Sequence, residues 1–372
     1  MNEAHDPNRI AHSATPPPGK KERDSNLELF RIIVMLLIVA HHYLVNSGLK
    51  EFIDSQPLTA QSCYLYTLGM WGKTGINCFV LITGYFMCKS RITLHKFLKL
   101  VLQVYFYAIT IGLIFVFTGY TKLDADNIAY FLFPFNRLNT GFKSAFVVYF
   151  LFIPFLNIVV NSISKRQHQA LTALCLAVYC VFAKVGFITL NYVAWFMVLH
   201  IIASYLRFYV PEADSKARKR WGLLMATCIV LSVASVLLVR RAGLISLKFW
   251  FVSDSNAPLA ICTGITSFMF FKNLKVKQSK LINTIASTTF GILLIHAHSA
   301  AMRQWLWSDT LHNTSHFGTP MGWVHPIVSV LAVFAVCSLI DYLRARFLEK
   351  PLLPIIVNLA ERGLEKCKWL NH

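Results

Sequence analysis

Stretch after stretch of this chain is apolar over the length needed to cross a lipid bilayer, and no other feature limits the possible folds as severely. A helix crosses a hydrocarbon layer of about 30 Å in about 20 residues. Candidate spans run over 27–47, 68–88, 97–118, 143–163, 169–189, 193–209, 222–239, 257–271, 281–302 and 325–346. Within them apolar residues follow one another continuously rather than alternating, which excludes a transmembrane β-barrel. Backbone groups in lipid must be satisfied within their own segment. The expected fold is therefore all-α: a polytopic membrane bundle of about ten transmembrane helices.

Charge decides what kind of membrane protein this is. Only 14% of the residues are charged, against about 25% in soluble domains, so a soluble enzyme, a disordered chain and a disulfide scaffold are all poor fits. The 36 Lys and Arg exceed the 17 Asp and Glu, for a net charge of +19. With residues 1–26 on the cytoplasmic side, most of these cations fall in inside segments, which places both termini in the cytoplasm. The charge thus reads as topology, and the expected partner is the bilayer rather than nucleic acid. Residues 1–26, with Pro16, Pro17 and Pro18, read as a disordered cytoplasmic leader, 27–350 as the membrane domain and 351–372 as a cytoplasmic tail. The nine cysteines form no CxxC pair, so neither a metal site nor a disulfide framework is expected.

Ionisable groups inside a span cost several kcal/mol unless they meet partners or water, which makes each a functional candidate. The first span carries Glu28, Arg31, His41 and His42. Arg31 and His42 are eleven residues apart, which returns them to nearly the same helix face about 16 Å further along the axis. Glu28, one turn before Arg31, can pair with it. One reading is a charged foot at the membrane surface and a proton-transferring imidazole far up the same stripe. The other is a snorkelling arginine and two histidines closing the outer end of the span. In the ninth span Thr289, His296 and Arg303 recur every seven residues, with Ser299 beside them, as a polar stripe facing the bundle interior or as interhelical glue. Arg91, Lys96 and Lys99 lie at the inner start of the third span, where they suit phosphate groups or ordinary headgroup contacts.

These segments together resemble a known family. An acidic residue, Leu-x-Arg, ten residues and a His (Glu28, Leu29, Phe30, Arg31, His42) are followed by Thr83-Gly84-Tyr85, the pair Lys96 and Lys99, and YFLFIPFLN at 149–157. Segments 195–209, 282–296 and 340–350 complete the series. In that order they are similar to the membrane-integral acyltransferase-3 proteins, over roughly residues 25–350. The chain departs from the pattern at 142–150, which has no Trp, and at His200, where a Tyr is common; both bear on the acceptor pocket.

The resemblance implies O-acylation, usually O-acetylation, of a surface polysaccharide or its lipid-linked precursor in a bacterial inner membrane. Acetyl-CoA would be the cytoplasmic donor substrate, with no permanently bound cofactor and no metal. It implies a donor phosphate at Arg31, Lys96 and Lys99, with Arg91 nearby. His42 would be the general base, or would transiently take the acyl group. His296 and Arg303, with Ser299 and His41 as auxiliaries, would orient the acceptor or stabilise an oxyanion. A secondary transporter with polar stripes along its path is the rival reading.

Overall fold

The computed structural model describes residues 24–135, 141–212 and 214–369, with side chains to Glu365. The expected leader as far as residue 23, and Cys367 with the basic residues Lys366 and Lys368 of the tail, lie outside that description. The described residues fold entirely into helices, turns and loops. In chain order these are α1 (Ser25–Val45), α2 (Leu49–Asp54), α3 (Ala60–Gly69), α4 (Gly72–Met87) and α5 (Leu94–Phe117). Then come α6 (Ala125–Leu132), α7 (Phe142–Ser162), α8 (Lys165–Leu176), α9 (Tyr192–Tyr209), α10 (Ser215–Arg241) and α11 (Pro258–Lys272). The chain continues through α12 (Lys280–Ser287), α13 (Thr289–His296), α14 (Ala300–Gln304), α15 (Met321–Arg344) and α16 (Lys350–Trp369). Short polar residues start many of them. Thr59, Thr93, Asp124, Ser164, Asn191, Asp214, Ser279 and Ser299 each accept a backbone N–H of the first turn.

Among the described residues, 6 helices are long and apolar enough to cross a membrane: α1, α5, α7, α9, α10, and α15 running on into α16 over Met321–Glu365. A seventh candidate is a bent pair, Lys280–His296 with Ala300–His316, which turns by 98°. The other three expected spans fold as shorter helices. The chain over 68–88 breaks at Met70 and Trp71, leaving α4 with 16 residues. Segment 169–189 ends α8 after 12 residues and passes into a π-helical turn, Ala177–Phe182. The apolar part of 257–271 gives the 15 residues of α11. Within the expected tail, α16 packs along α5.

The short helix α4 is the centre of the packing, against α1, α9 and α11. Small residues allow the approach, as they do between helices in lipid, where close contact rather than water exclusion drives association. A Cβ on Gly75 would lie 2.8 Å from Ile38, and one on Gly84 3.0 Å from Ala203. Asn77 fixes the register: its Nδ2 donates to Ser255 O at 2.7 Å, and its Oδ1 accepts from Trp195 Nε1 at 2.9 Å. The outer faces of α7 and α10 are apolar and exposed, at Leu151, Phe155, Ile158, Leu223, Val230 and Leu238, as lipid-facing helices require. The eight described cysteines are free, with Cys78, Cys88 and Cys337 buried.

Two polar locks hold the ends of the bundle. In the first, buried Asp341 accepts from Gln103 Nε2 at 3.0 Å, Tyr107 Oη at 2.8 Å and Arg344 Nε at 2.8 Å. Arg344 continues to Glu349 at 2.9 Å, and Glu349 to Lys99 at 2.5 Å. Only glycine at 291 leaves room for this carboxylate, because a Cβ there would lie 2.1 Å from Asp341 Cγ. In the second lock, Asp54 at the end of α2 binds Lys248 at 2.7 Å and Tyr66 Oη at 2.6 Å.

Each lock yields a prediction. Asp341→Ala removes one of the two carboxylates on buried Arg344 and the acceptor of Gln103 and Tyr107, at a cost of about 3 kcal/mol; thermal unfolding of the detergent-solubilised protein should show a large drop in midpoint. For Asp54, burial pushes the carboxyl up, but hydrogen bonds from Lys248 and Tyr66 and the Lys248 and Lys50 charges outweigh it and hold it below its ordinary value. The stability it contributes is full above the unfolded carboxyl value of about 3.9 and is lost as pH falls through the lower folded value. Pepsin should therefore open the 48–58 region only below about pH 4, and in Asp54→Asn already at the upper end of the pepsin range.

Candidate active site

His42 lies in the last turn of α1 and His296 in the last turn of α13, and these two helices pack together. His42 Nδ1 and His296 Nε2 are 2.8 Å apart. His296 Nδ1 is 2.6 Å from the carbonyl of Ile292 one turn back. A carbonyl only accepts, so His296 Nδ1 carries a hydrogen. In the neutral ring, His296 Nε2 then offers a lone pair, and His42 Nδ1 donates to it. This leaves the lone pair on His42 Nε2, which has no hydrogen-bond partner among the described residues. His296 is fully buried, whereas His42 is part-exposed. Buried Trp307 packs edge-on against His296, with ring centres 6.4 Å apart, and limits its movement.

The neighbouring His41 has a different task. Its Nδ1 is 2.6 Å from Gly69 O at the end of α3, and its ring occupies the space beside Gly72, where a Cβ would lie 2.2 Å away. His41 therefore clamps the α3–α4 break onto α1, and the ring of His42 stands 5.7 Å from it.

At the other end of α1, Arg31 Nη1 reaches both oxygens of Glu28, at 2.7 and 3.0 Å. The Arg31 side chain keeps 17% exposure against 6% for Glu28, so the pair presents its cation rather than its anion. Arg31 also lies 6.0 Å from the Phe79 ring of α4. The expected stripe on the first helix is thus present, with the ion pair at one end and the imidazole at the other.

The structure rearranges the remaining candidates. Thr289, His296 and Arg303 do not share one helix, because α13 ends at His296 and Ser299 starts α14 after the bend. The Ser299 Oγ accepts Met302 N at 3.1 Å, so this hydroxyl is a cap. Arg303 nonetheless stays within electrostatic reach of the His42 ring, as does Lys73. Arg91, Lys96 and Lys99 are exposed at the start of α5. Lys96 Nζ donates to Ser90 Oγ at 2.7 Å and Arg91 O at 2.9 Å, and Lys99 is paired with Glu349.

Two cations not singled out from the sequence stand near the Arg31 end of the central helices. Arg207 Nη1 donates to Tyr85 Oη at 2.6 Å, and Lys272 Nζ lies 5.5 Å from the Tyr85 ring centre. In the sequence they look like any other topogenic charge. His200, where the chain departs from the family pattern, joins Tyr149 Oη at 2.9 Å to Asn157 Oδ1 at 3.0 Å and so ties α9 to α7.

The clamp is testable on its own. Gly72→Ala should cost about 1–3 kcal/mol through overpacking. It should also raise the rate at which His41 is modified by diethyl pyrocarbonate, read by mass spectrometry.

Comparison with known proteins adds to this geometry. Searches of curated proteins and of solved structures found no match. A family model described as an acyltransferase domain matches residues 24–342, which reach from the start of α1 into the end of α15 and include both histidines and the Glu28–Arg31 pair. The chain is a member of the acyltransferase-3 family, a membrane-embedded acyltransferase.

Proposed function

We propose that the protein transfers an acetyl group from cytoplasmic acetyl-CoA to a hydroxyl of a cell-surface polysaccharide or its lipid-linked precursor, across a bacterial inner membrane. The observation that carries this reading is the His42–His296 pair, which leaves His42 Nε2 with a lone pair and no partner, on the same helix as the Arg31–Glu28 foot. The two ends are about 16 Å apart by helix rise. That separation suits a donor whose phosphates stay at one membrane face while its extended arm carries the thioester inward.

In this topology the shorter helices α4, α8 and α11 and the bent pair complete the passages begun by the six long helices, giving ten with both termini in the cytoplasm. The Arg31 end faces the cytoplasm. Arg31 meets the donor phosphates there with Arg91, Lys96 and Lys99 at the rim, and Arg207 and Lys272 add to the same positive field.

At the far end, His42 Nε2 takes the proton of the acceptor hydroxyl as its oxygen attacks the acetyl carbonyl. The C–O bond forms, the C–S bond breaks, and His42 returns the proton to the departing thiolate. His296, held by Ile292 O, accepts the His42 Nδ1 hydrogen bond. It fixes the ring and supports the transient imidazolium, as the third member of a catalytic triad does. Arg303 supplies positive charge where the tetrahedral oxygen develops. If His42 instead carries the acetyl group, the same lone pair is the nucleophile.

The test is acetyl transfer in vesicles loaded with radiolabelled acetyl-CoA. His42→Ala should lose about 10²–10⁴-fold in rate, and His296→Ala should lose less while changing the pH profile. Arg31→Gln should mainly raise the KM for acetyl-CoA. Full activity in His42→Ala would overturn the mechanism.

A further inference from the structure

The positive-inside rule disfavours cations beyond the outer end of a span, so those present on that side call for a reason. In the proposed topology one group of outer lysines is neutralised. Lys50 and Lys248 bind Asp54, and Lys184 binds Asp254. Lys73 and Lys143 are different: neither has an acidic partner among the described residues, and both are part-buried.

Each leans on a tyrosine instead. Lys73 Nζ donates to Tyr192 Oη at 2.6 Å and lies 5.2 Å from its ring centre. Lys143 Nζ donates to Tyr130 Oη and lies 4.3 Å from that ring centre. A phenol and a ring face satisfy part of an ammonium but do not neutralise it.

Both lysines stand beside direct neighbours of the catalytic pair. Lys73 follows Gly72, against which the His41 ring packs. Tyr130 Oη donates to the carbonyl of His298, two residues beyond His296, at 3.3 Å. Phe142, beside Lys143, meets Phe196 at 5.5 Å between ring centres, and Phe196 stacks on Tyr192 at 5.6 Å. Lys73, Lys143 and Tyr192 all lie in the first turn of their helices, so the positive ends of α4, α7 and α9 point to this region. Arg303 acts on the same place, within reach of both His42 and Tyr130. His298 Nδ1 is buried there with no hydrogen-bond partner. A tetrahedral oxyanion needs one or two donors for a fleeting single charge. Lys73 and Arg303 act on the His42 ring, and Lys143 adds a further charge beside His298, which exceeds that need.

We propose that the acceptor is an acidic glycan. A carboxylate or phosphate near its reacting hydroxyl is held by Lys73 and Lys143 while the hydroxyl faces His42 Nε2. This assignment rests on the acyl-transfer reading above and names its substrate class.

The experiment follows labelled acetyl groups from acetyl-CoA into the glycan of membranes containing the full-length protein, with His42→Ala membranes as the blank. The labelled glycan is cut to its acetylated fragment and passed over an anion exchanger. Retention of the label is expected. Carboxyl reduction or phosphatase treatment should then release it, and which of the two succeeds identifies the anion. In Lys73→Gln and Lys143→Gln, about 30-fold more acceptor should be needed for half-maximal labelling, with Lys73→Arg and Lys143→Arg restoring it. A labelled fragment that is neutral, or Gln variants with unchanged acceptor dependence, overturns the assignment. Absence of His42-dependent label from any glycan instead removes the acyl-transfer reading beneath it.

Discussion

One hydrogen bond organises the centre of this molecule: His42 Nδ1 to His296 Nε2, at 2.8 Å between residues 254 positions apart. Two imidazoles in a membrane are costly unless each nitrogen is used. The first helix supplies one ring, and the second is held by the carbonyl of Ile292 in its own last turn. From that anchor the direction of each hydrogen follows, and with it the ring nitrogen left without a partner, His42 Nε2. The α13–α14 bend serves the same end. By stopping the helix at His296, it lets the chain turn through 98° and carry Arg303 back toward the rings.

The scaffold exists to keep that contact. In lipid, helices gain nothing from excluding water, so close approach and a few polar contacts must hold them. Gly72, Gly75 and Gly84 bring the short α4 against α1 and α9. His41 closes the α3–α4 break onto α1, and Asn77 ties α4 to Trp195 and to the 255 backbone. At the other end of the bundle the chain from Tyr107 through Asp341, Arg344 and Glu349 to Lys99 joins α5 to α15 and to the turn beyond it. Adjacent histidines thus divide their labour: His41 is structural glue, and His42 is left open.

Much of this was legible in the chain. Continuous apolar runs gave the helical class, since lipid permits no other arrangement of such segments. The i, i+3 spacing gave the Glu28–Arg31 pair, and the eleven-residue spacing placed His42 on its stripe. Helix breaks were not legible. Nothing in the continuous apolar run over 281–302 announces that Ser299 will cap a new helix, because a serine inside a span can equally bond back to its own helix. The same limit hid the shortness of α4, set by the turn at Met70–Trp71. Nor was the partner of Lys99 legible, since the fold pairs it with Glu349, 250 residues away.

The sequence by itself determined the class, the excess of positive charge and the polar stripe of the first helix, because local spacing and lipid solubility act along the chain. Only the tertiary structure decided which histidine His42 would meet, which of its nitrogens stays free, and which cations are neutralised. Those depend on contacts between helices far apart in sequence. Lys73 and Lys50 look alike as residues. The fold gives Lys50 a carboxylate and leaves Lys73 with a tyrosine, within reach of His42.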